Sequence, residues 1–385
     1  GRDYTPMPRT DREPALTYLD GPERLATQVR RRRGPRRSAR RAAHVVDVCS
    51  AIETTAAAGG PRPVSSGFDA GPLVAPNYRP DLPRKSAAIR LPPIGFGTAR
   101  YRDGGYVDRR DSIATALDAG YRFFDTAELY GNEHVVGDLL ASRGTPDRRS
   151  VFLASKVWNT NHGHVAEACE TTLRDLRLEA LDCYLLHWPD SWAYTGPLSR
   201  LADRPSDEQE ARTFPRNEDG DIRRTDIPLE RVWRDLEGLL ERGTVRSLGI
   251  CNVDRETLEH VLDFADVPPA VVQVECHPYR PRSDLVSFCH ERGIRVVAHT
   301  PLNADGLLTD PRLEPIADEL DASVAQVVLA WNIHRGVVPI PSSTEPDHVV
   351  ENLAGARLRL PPEAQKRVDQ LAQPGDDHHG GPTDE

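Results

Sequence analysis

Three apolar runs of the sequence end at side chains that can carry charge or exchange a proton. The runs and the residues that follow them are 121–124 with Asp125, 151–155 with Lys156, and 181–186 with His187. A phenol, Tyr130, follows the first run in a polar turn. Carboxylate, phenol, amine and imidazole groups are those that enzymes use for acid–base chemistry. The pattern therefore indicates proton transfer, provided that the fold brings the three runs together.

The apolar runs alternate with helical stretches between residues 91 and 342. Short apolar runs bounded by turn signals are typical of buried strands, and eight can be counted, the first over 91–98. Regular β–α alternation indicates a parallel sheet covered by helices. We therefore predict an α/β protein in which residues 86–372 form a single (β/α)8 TIM barrel. Such a barrel has its active site at the carboxyl ends of its strands, so the four side chains are candidates for one pocket.

The two ends of the chain differ in composition from the predicted barrel. Residues 1–85 carry a net charge of +7, whereas the remainder carries −17. The first segment contains the arginine cluster at 30–41, many Pro and Gly residues, and little apolar periodicity, which predicts a disordered or mis-assigned N-terminal extension. We expect the arginine cluster to be solvated and to bind no nucleic acid. Residues 373–385 are expected to form a flexible tail.

Seven sequence motifs give the chain a family resemblance. In order they are GYRFFDTAELYGNE, ASKVW, LLHWP, SLGICNV, VVQVECHPY, VVAHTPL and VVPIPSSTEPDHVVENL. Seven matches in one order are specific, where any single one would be weak. Over residues 91–371 the chain resembles the aldo-keto reductases, in particular the 2,5-diketogluconate reductase-like and aldehyde reductase-like members. The resemblance implies an NAD(P)H-dependent oxidoreductase that reduces aldehydes or ketones, including keto-sugars and sugar-derived carbonyls, to alcohols.

The resemblance also implies a catalytic tetrad, which we define as Asp125, Tyr130, Lys156 and His187. A free tyrosine titrates near pH 10, and a neighbouring cation such as Lys156 lowers that pKa, so the phenol becomes an effective general acid. Asp125 would hold the ammonium, and His187 would orient the carbonyl oxygen. Lys156 is one of only three lysines among 49 basic residues, which indicates a role that arginine cannot fill.

Further residues match the positions at which the family binds a nicotinamide cofactor. They are Thr98, Cys251, Asn252, Gln273, His299, Thr300, Leu302, Ser342, Ser343, His348, Glu351 and Asn352. Cys251 replaces a usual Ser, and His299 replaces a usual Tyr that stacks under the nicotinamide ring. Ser342 and His348 stand where members that prefer NADP carry a Lys and an Arg. The sequence therefore allows either NADP or NAD as the cofactor. If the cofactor is NADP, another arginine could bind its 2′-phosphate.

The substrate pocket is predicted from the same resemblance to have an aromatic wall. The residues expected to line it are Leu129, Trp158, Trp188 and Trp192. Ala99 replaces a frequent family Trp, and an open wall near Arg100 and Arg102 would suit polar or acidic carbonyl compounds. The insertion at 190–227, which follows the strand of His187, is expected to border this pocket.

Two other classes of protein stay open on the sequence alone. A metal-dependent barrel hydrolase could use Glu275, His277, His187 and His299, although the first strand offers no ligand. A non-catalytic nicotinamide-binding sensor subunit is the other. We favour the reductase, with no metal, a small-molecule carbonyl substrate, no membrane contact and a monomeric state. Six irregularly spaced cysteines predict a reduced, cytoplasmic protein without disulfides.

Overall fold

The computed structural model describes residues 89–102, 105–142 and 150–372 of the 385-residue chain. The predictions made for segments 1–85 and 373–385 lie outside these described residues. Eight parallel strands form one sheet, and each lies beside the strand that follows it along the chain.

The strands of the structure form a barrel and one small hairpin. In chain order they are β1 (Phe96–Gly97), β2 (Tyr101–Arg102), β3 (Gly105–Tyr106), β4 (Phe123–Asp125), β5 (Phe152–Val157), β6 (Cys183–Leu186), β7 (Leu248–Cys251), β8 (Val271–Glu275), β9 (Arg295–His299) and β10 (Val337–Pro339). The antiparallel pair β2 and β3 is the hairpin, and the other eight strands form the barrel.

The barrel closes between its first and last strands. Backbone hydrogen bonds run from Gly95 N to Pro339 O (2.9 Å) and from Gly97 N to Pro341 O (3.1 Å). These bonds join β1 to the end of β10, so the parallel sheet has no free edge among the described residues. The predicted (β/α)8 barrel is confirmed.

Helices cover the outside of the barrel and follow most of its strands. They are α1 (Arg110–Ala119), α2 (Glu133–Ser142), α3 (Val165–Leu176), α4 (Ser206–Thr213), α5 (Leu229–Arg242), α6 (Arg255–Phe264), α7 (Ser283–Glu291), α8 (Glu314–Glu319), α9 (Val324–His334), α10 (Pro346–Gly355) and α11 (Pro362–Asp369). The longest of them, α5, buries Val232, Trp233 and Leu236 along one face against the sheet, as an amphipathic helix should.

Alternation along each strand divides the core into two apolar layers. In β4, Phe123 points into the barrel interior with Phe152, whereas Phe124 packs outward toward the helices. The Phe123 and Phe152 rings meet edge to face at 5.3 Å. Because side chains alternate with a period of two, Asp125 points to the same inner side as Phe123. The interior is thus apolar at its base and becomes polar where the strands end.

The same alternation brings the other predicted site residues to the inner side of the barrel mouth. In β5, Lys156 shares the inner side with Ala154, and in β6, His187 follows Leu185 two positions later. Inner positions of the next three strands are occupied by Cys251, Gln273 and His299, and Cys251 is paired in register with Gln273. A period of two along the strands therefore places the whole set at one end of the barrel.

The structure differs from the sequence prediction at the first strand. The sequence predicts a strand over 91–98, but the strand of the structure spans only Phe96–Gly97, and the β2–β3 hairpin follows it. The close approach of this segment to its neighbours explains why residue 95 is a glycine. A Cβ at Gly95 would lie 2.6 Å from Phe123 Cδ1 and 2.8 Å from Ile340 Cγ2.

The insertion at 190–227 contains regular secondary structure rather than an extended loop. It holds helix α4 and the short 3-10 helix Leu201–Asp203. Its two ends are tied together at its base, where His162 Nδ1 lies 2.8 Å from Ser191 Oγ and Ser191 Oγ donates to Ile227 O (3.1 Å). The proline-rich sequence suggests irregular structure, but these side-chain bonds fix both ends.

Candidate active site

A buried ion pair lies at the centre of the barrel mouth. Lys156 Nζ contacts Asp125 Oδ2 at 2.5 Å and also donates to Thr126 O at 3.0 Å. Both side chains are buried, Asp125 at the end of β4 and Lys156 near the end of β5. Burial opposes the charged ammonium, but the nearby Asp125 carboxylate and Tyr130 outweigh it and raise the pKa of Lys156 above its usual range. Lys156 is therefore a fixed cation at this site.

Tyr130 is positioned by a short 3-10 helix, Glu128–Tyr130, that closely follows the β4 strand. Its hydroxyl accepts a hydrogen bond from Lys156 Nζ at 3.3 Å, and the ammonium lies 5.0 Å from the centre of its ring. The following Gly131 has a φ of 62°, a left-handed conformation that favours glycine and ends the helix. The phenol is thus held beside a permanent positive charge.

His187 completes the cluster from the end of β6. Its backbone N–H donates to Val157 O (3.1 Å), and its ring packs edge to face against Trp158 at 4.9 Å and against Tyr130 at 6.0 Å. Burial, followed by the charge of Lys156, lowers the pKa of His187 well below its usual range. The imidazole is therefore neutral at physiological pH. Among the described residues, no group hydrogen-bonds its buried Nδ1.

Carboxamide side chains from β8 and the turn after β7 border the same cluster. Gln273 Nε2 donates to Asp125 Oδ1 at 2.7 Å, and Asn252 Nδ2 donates to His187 O at 3.1 Å. Asn252 adopts a left-handed backbone conformation, with a φ of 55°, which turns its side chain over the barrel mouth. Thr98, from the end of β1, donates through Oγ1 to Asp125 O (3.0 Å).

His299 forms hydrogen bonds that a tyrosine at this position could not form in the same way. Its Nε2 lies 2.9 Å from Asn252 Oδ1, and its Nδ1 lies 2.8 Å from Thr300 Oγ1. His299 and Thr300 are half-buried at the rim, as is Leu302, whereas Cys251 is buried in the inner layer. The imidazole therefore links the carboxamide of Asn252 to the rim of the barrel.

The remaining predicted cofactor residues gather around the N-terminus of α10, which begins at Pro346. Ser342 and His348 are exposed there, and Ser343 is buried and accepts a hydrogen bond from Glu345 N at 3.0 Å. Glu351 is half-buried, and Asn352 is buried on the same helix. The structure thus separates the set into a carboxamide end beside His187 and a helix-terminus end beside β10. This donor set fits a nicotinamide dinucleotide, in which an amide-bearing ring at one end is joined through two phosphates to an adenosine at the other.

An aromatic cluster lies against the tetrad on the side of the insertion. Trp158 donates from Nε1 to Thr213 O (2.9 Å) and packs edge to face on Trp192 at 5.4 Å, so the insertion is anchored to this ring. The apolar members of the cluster are Trp158, Trp188, Trp192, Leu198 and Leu201, with Leu129, Phe214 and Ile222 packed against them. Trp192 donates to Asp190 Oδ2 (2.9 Å), whereas Nε1 of Trp188 is buried with no hydrogen-bond partner among the described residues.

Sequence reasoning missed the contribution of Glu128. This buried carboxyl group accepts hydrogen bonds from Trp158 N (2.6 Å) and Asn161 Nδ2 (2.8 Å). Burial raises its pKa to about 8 despite those donors. Glu128 therefore ties the helix that carries Tyr130 to the loop that carries Trp158. An acid two residues before the tyrosine was the available signal.

Arg100 has a different place from the one expected on the pocket wall. It is largely buried, and it donates from Nε to Tyr130 O (2.7 Å) and from Nη2 to Gln209 Oε1 in α4 (2.8 Å). A guanidinium held by these acceptors supports the tyrosine-bearing turn and attaches it to the insertion. Arg102 belongs to a hairpin whose side chains lie outside the described part of the structure.

The described residues offer no metal centre to replace this arrangement. Among them, no group of three or more His, Cys, Asp or Glu side chains could hold a metal ion. Glu275 instead contacts His277 Nε2 (2.9 Å) and Arg280 Nη1 (2.5 Å). These ion-pair contacts hold its carboxylate at the end of β8. Within the same described ranges, no helix is long and apolar enough to cross a membrane.

Comparison with known proteins identifies the class of this chain. A profile of the Aldo/keto reductase family matches residues 93–373. The chain is 36% identical over 298 residues to aldo-keto reductase family 1 member A1 of Sus scrofa, covering 73% of this chain and 86% of that protein. It is 37% identical over 298 residues to the corresponding protein of Bos taurus, with the same coverage of 73% and 86%.

Solved structures show the same relationship. The aldose reductase of Schistosoma japonicum aligns with a TM-score of 0.65 and 30% identity, covering 74% of this chain and 90% of that one. The aldose reductase of Giardia lamblia aligns with a TM-score of 0.63 and 30% identity, covering 72% and 91%. The chain belongs to the aldo/keto reductase family, as its motifs indicated. It is an oxidoreductase of the class that reduces carbonyl compounds with a nicotinamide cofactor.

Proposed function

We propose that the chain reduces small aldehydes or ketones to alcohols with NADPH or NADH, using Tyr130 as the general acid. The observation that carries this proposal is the contact of Lys156 with both Asp125 (2.5 Å) and Tyr130 (3.3 Å) at the barrel mouth. His187 lies against the same tyrosine ring. A buried cation beside a phenol is the arrangement that an acid catalyst of this type requires.

The proton needed by the product comes from Tyr130. Reduction of a carbonyl places negative charge on its oxygen, and the phenol hydroxyl donates its proton to that oxygen. The phenolate that remains is stabilised by Lys156, which the Asp125 carboxylate keeps charged and oriented. The nicotinamide cofactor, when bound, supplies the hydride. The four side chains thus supply position, charge and one proton.

His187 orients the substrate as a neutral group. Because burial and Lys156 lower its pKa, it can donate an N–H to the carbonyl oxygen without adding a second positive charge to the pocket. Its ring is held from one side by Trp158 at 4.9 Å. A neutral donor fixed in this way directs the oxygen toward Tyr130 and leaves proton transfer to the phenol.

The substrate is proposed to be a small carbonyl compound that carries a second polar group. The ring faces of Trp158 and Trp188, with Leu129, support an apolar wall for its body. The buried Nε1 of Trp188 supports a polar group on the substrate, because a buried donor without an acceptor costs free energy until an acceptor reaches it. Keto-sugars and other sugar-derived carbonyls meet both requirements.

We further propose a monomer that acts in the cytoplasm on this small-molecule substrate. All four tetrad side chains come from one chain, so the proposed chemistry needs no second copy. The five cysteines that the structure describes are all buried, and none of them forms a disulfide, which supports a reducing compartment. Segment 1–85 is proposed to be dispensable for the barrel because of its composition.

A cofactor-oxidation screen tests the proposed reaction. Purified protein is incubated with NADPH or NADH and a panel of aldehydes, ketones and keto-sugars, and loss of reduced nicotinamide absorbance is measured. We expect turnover with at least one class of carbonyl and the same turnover after exhaustive dialysis against a chelator. Absence of turnover on the whole panel, with cofactor still bound, would favour a non-catalytic sensor. Loss of activity on chelation would contradict the metal-free mechanism.

A further inference from the structure

Arg109 is a buried arginine that joins two strand ends at the helix-terminus end of the site. It precedes α1 and is only 3% exposed. It donates from Nε to Ala99 O at 2.7 Å and from Nη2 to Ser342 Oγ at 3.1 Å. Ala99 follows β1 and Ser342 follows β10, the two strands that close the barrel. A guanidinium therefore lies directly behind a hydroxyl whose residue is itself exposed.

Ser342 is the position at which the family resemblance leads one to expect a lysine for the adenosine 2′-phosphate. Ser342 precedes α10 by four residues, and His348 is exposed in the first turn of that helix. Neither Ser342 nor His348 supplies a permanent cation. Arginine is charged at all physiological pH values, so Arg109 brings to Ser342 the positive charge that the two aligned side chains lack.

We propose that Arg109, acting through Ser342, is the cation that recognises the 2′-phosphate and makes this enzyme prefer NADPH. This inference rests on the proposed use of a nicotinamide cofactor. Since Ser342 Oγ accepts a hydrogen bond from Arg109 Nη2, its own proton is left to donate to an incoming acceptor. A phosphate oxygen bound to that hydroxyl has the Arg109 guanidinium immediately behind it.

Two carboxylates oppose this arrangement. Glu345 and Asp347 lie at the start of α10 and are exposed, so water and salt screen their charge. Arg109 is almost fully enclosed, and charges are screened less in such a position. The buried cation therefore outweighs the exposed acids for a phosphate bound at Ser342. In this arrangement a buried arginine, held by Ala99 O and Ser342 Oγ, takes the place of the surface lysine expected from the family resemblance.

A purely structural role for Arg109 makes a different prediction. As a clamp between Ala99 and Ser342, it would hold the β1 and β10 ends together without contributing to recognition of the ligand. Replacing Arg109 would then weaken the binding of NADPH and of NADH to the same extent, because the two cofactors differ only in the 2′-phosphate. The ratio of the two dissociation constants, not their absolute values, separates recognition of the phosphate from support of the fold.

The experiment measures dissociation constants for NADPH and NADH by quenching of tryptophan fluorescence. The variants are Arg109→Gln, Arg109→Lys and Ser342→Ala. The matched control is Arg110→Gln, which alters the next arginine along the chain, an exposed side chain 4.0 Å from Asp138. We expect the parent to favour NADPH, and Arg109→Gln and Ser342→Ala to reduce that preference about tenfold, as loss of a charge-assisted bond would. Arg109→Lys should retain part of the preference, and Arg110→Gln all of it.

The other outcomes separate failure of this inference from failure of the proposed function. A parent that prefers NADH, or an Arg109→Gln variant that loses affinity for both cofactors equally, overturns the inference while leaving the reductase proposal intact. If Arg109→Gln does not fold, the exposed Ser342→Ala variant decides, and an unchanged cofactor ratio there overturns the inference. A folded parent that binds neither cofactor contradicts the proposed function itself.

Discussion

Lys156 Nζ donates a hydrogen bond to the hydroxyl of Tyr130 at 3.3 Å and lies 5.0 Å from the centre of its ring. The ammonium reaches this position because Asp125 also holds it, at 2.5 Å. A side chain buried between two such partners has little freedom to change shape. We therefore expect the proposed chemistry to depend on an ammonium at this point, and not merely on a positive charge nearby.

Replacing Lys156 with arginine tests that dependence. The guanidinium is larger and planar, so we expect Lys156→Arg to lose nearly as much kcat for carbonyl reduction as Lys156→Met. Lys366→Met is a matched control, because Lys366 is an exposed lysine paired with Glu363 at 3.2 Å, and it should keep parental kcat. Ordinary turnover in Lys156→Arg would show that a positive charge alone suffices.

Much of this site followed from strand periodicity. The apolar runs ending at Asp125, Lys156 and His187 predicted three neighbouring strands, and a period of two along those strands explains why all three side chains face inward. The bonds made by Arg100 and Glu128 did not follow, because they join segments far apart in the chain and depend on side-chain conformation. The first strand was predicted too long because residues 91–94 continue the apolar pattern outside the sheet.

Glu128 predicts a dependence of stability on pH. Burial raises its pKa to about 8, above the value of 4.5 for an exposed glutamate. The folded protein therefore holds this proton more tightly than the unfolded chain, and the contribution of Glu128 to stability decreases as pH rises from 4.5 through 8. Glu128→Gln removes the titration, because an amide does not ionise in this pH range. The new side chain can still accept a hydrogen bond from Trp158 N through its oxygen, and its NH2 can donate to the Asn161 oxygen once the Asn161 amide rotates by about 180°.

The melting temperature checks this prediction. We expect the melting temperature of Glu128→Gln to rise relative to that of the parent as pH increases from about 5 to about 8, because only the parent loses the stabilising contribution of the bound proton. The comparison cancels every group that titrates equally in both proteins. Glu363→Gln, at an exposed position of α11, is the control and should show no such trend. A difference independent of pH would mean that Glu128 is ionised in the folded protein.

The contacts of Trp158 lead us to expect that its replacement changes KM for the carbonyl substrate more than kcat. Its indole N–H donates to Thr213 O of the insertion (2.9 Å), while its ring packs against His187. Trp158→Phe keeps an aromatic ring but removes this attachment, so we expect KM for the carbonyl substrate to rise several-fold with a smaller change in kcat. Steady-state kinetics at saturating cofactor measure both constants. A fall in kcat at unchanged KM would assign the ring to the chemical step.

Removal of segment 1–85 tests the proposed division of the chain. The segment combines a net charge of +7 with many Pro and Gly residues and little apolar periodicity, so the shortened protein should fold and retain parental kcat and KM. Circular dichroism and the carbonyl reduction assay measure the two properties. Aggregation or loss of activity after truncation would show that the segment contributes to the barrel.

The central claim is that Tyr130 supplies the proton, and Tyr130→Phe tests it most directly. The measurement is kcat for carbonyl reduction together with the dissociation constant for the cofactor, with Tyr194→Phe, which changes an exposed tyrosine stacked on His164, as the control. We predict that Tyr130→Phe lowers kcat by about 10²–10⁴-fold while cofactor affinity stays near the parental value. Tyr194→Phe should match the parent in both. Near-parental kcat in Tyr130→Phe would contradict the account.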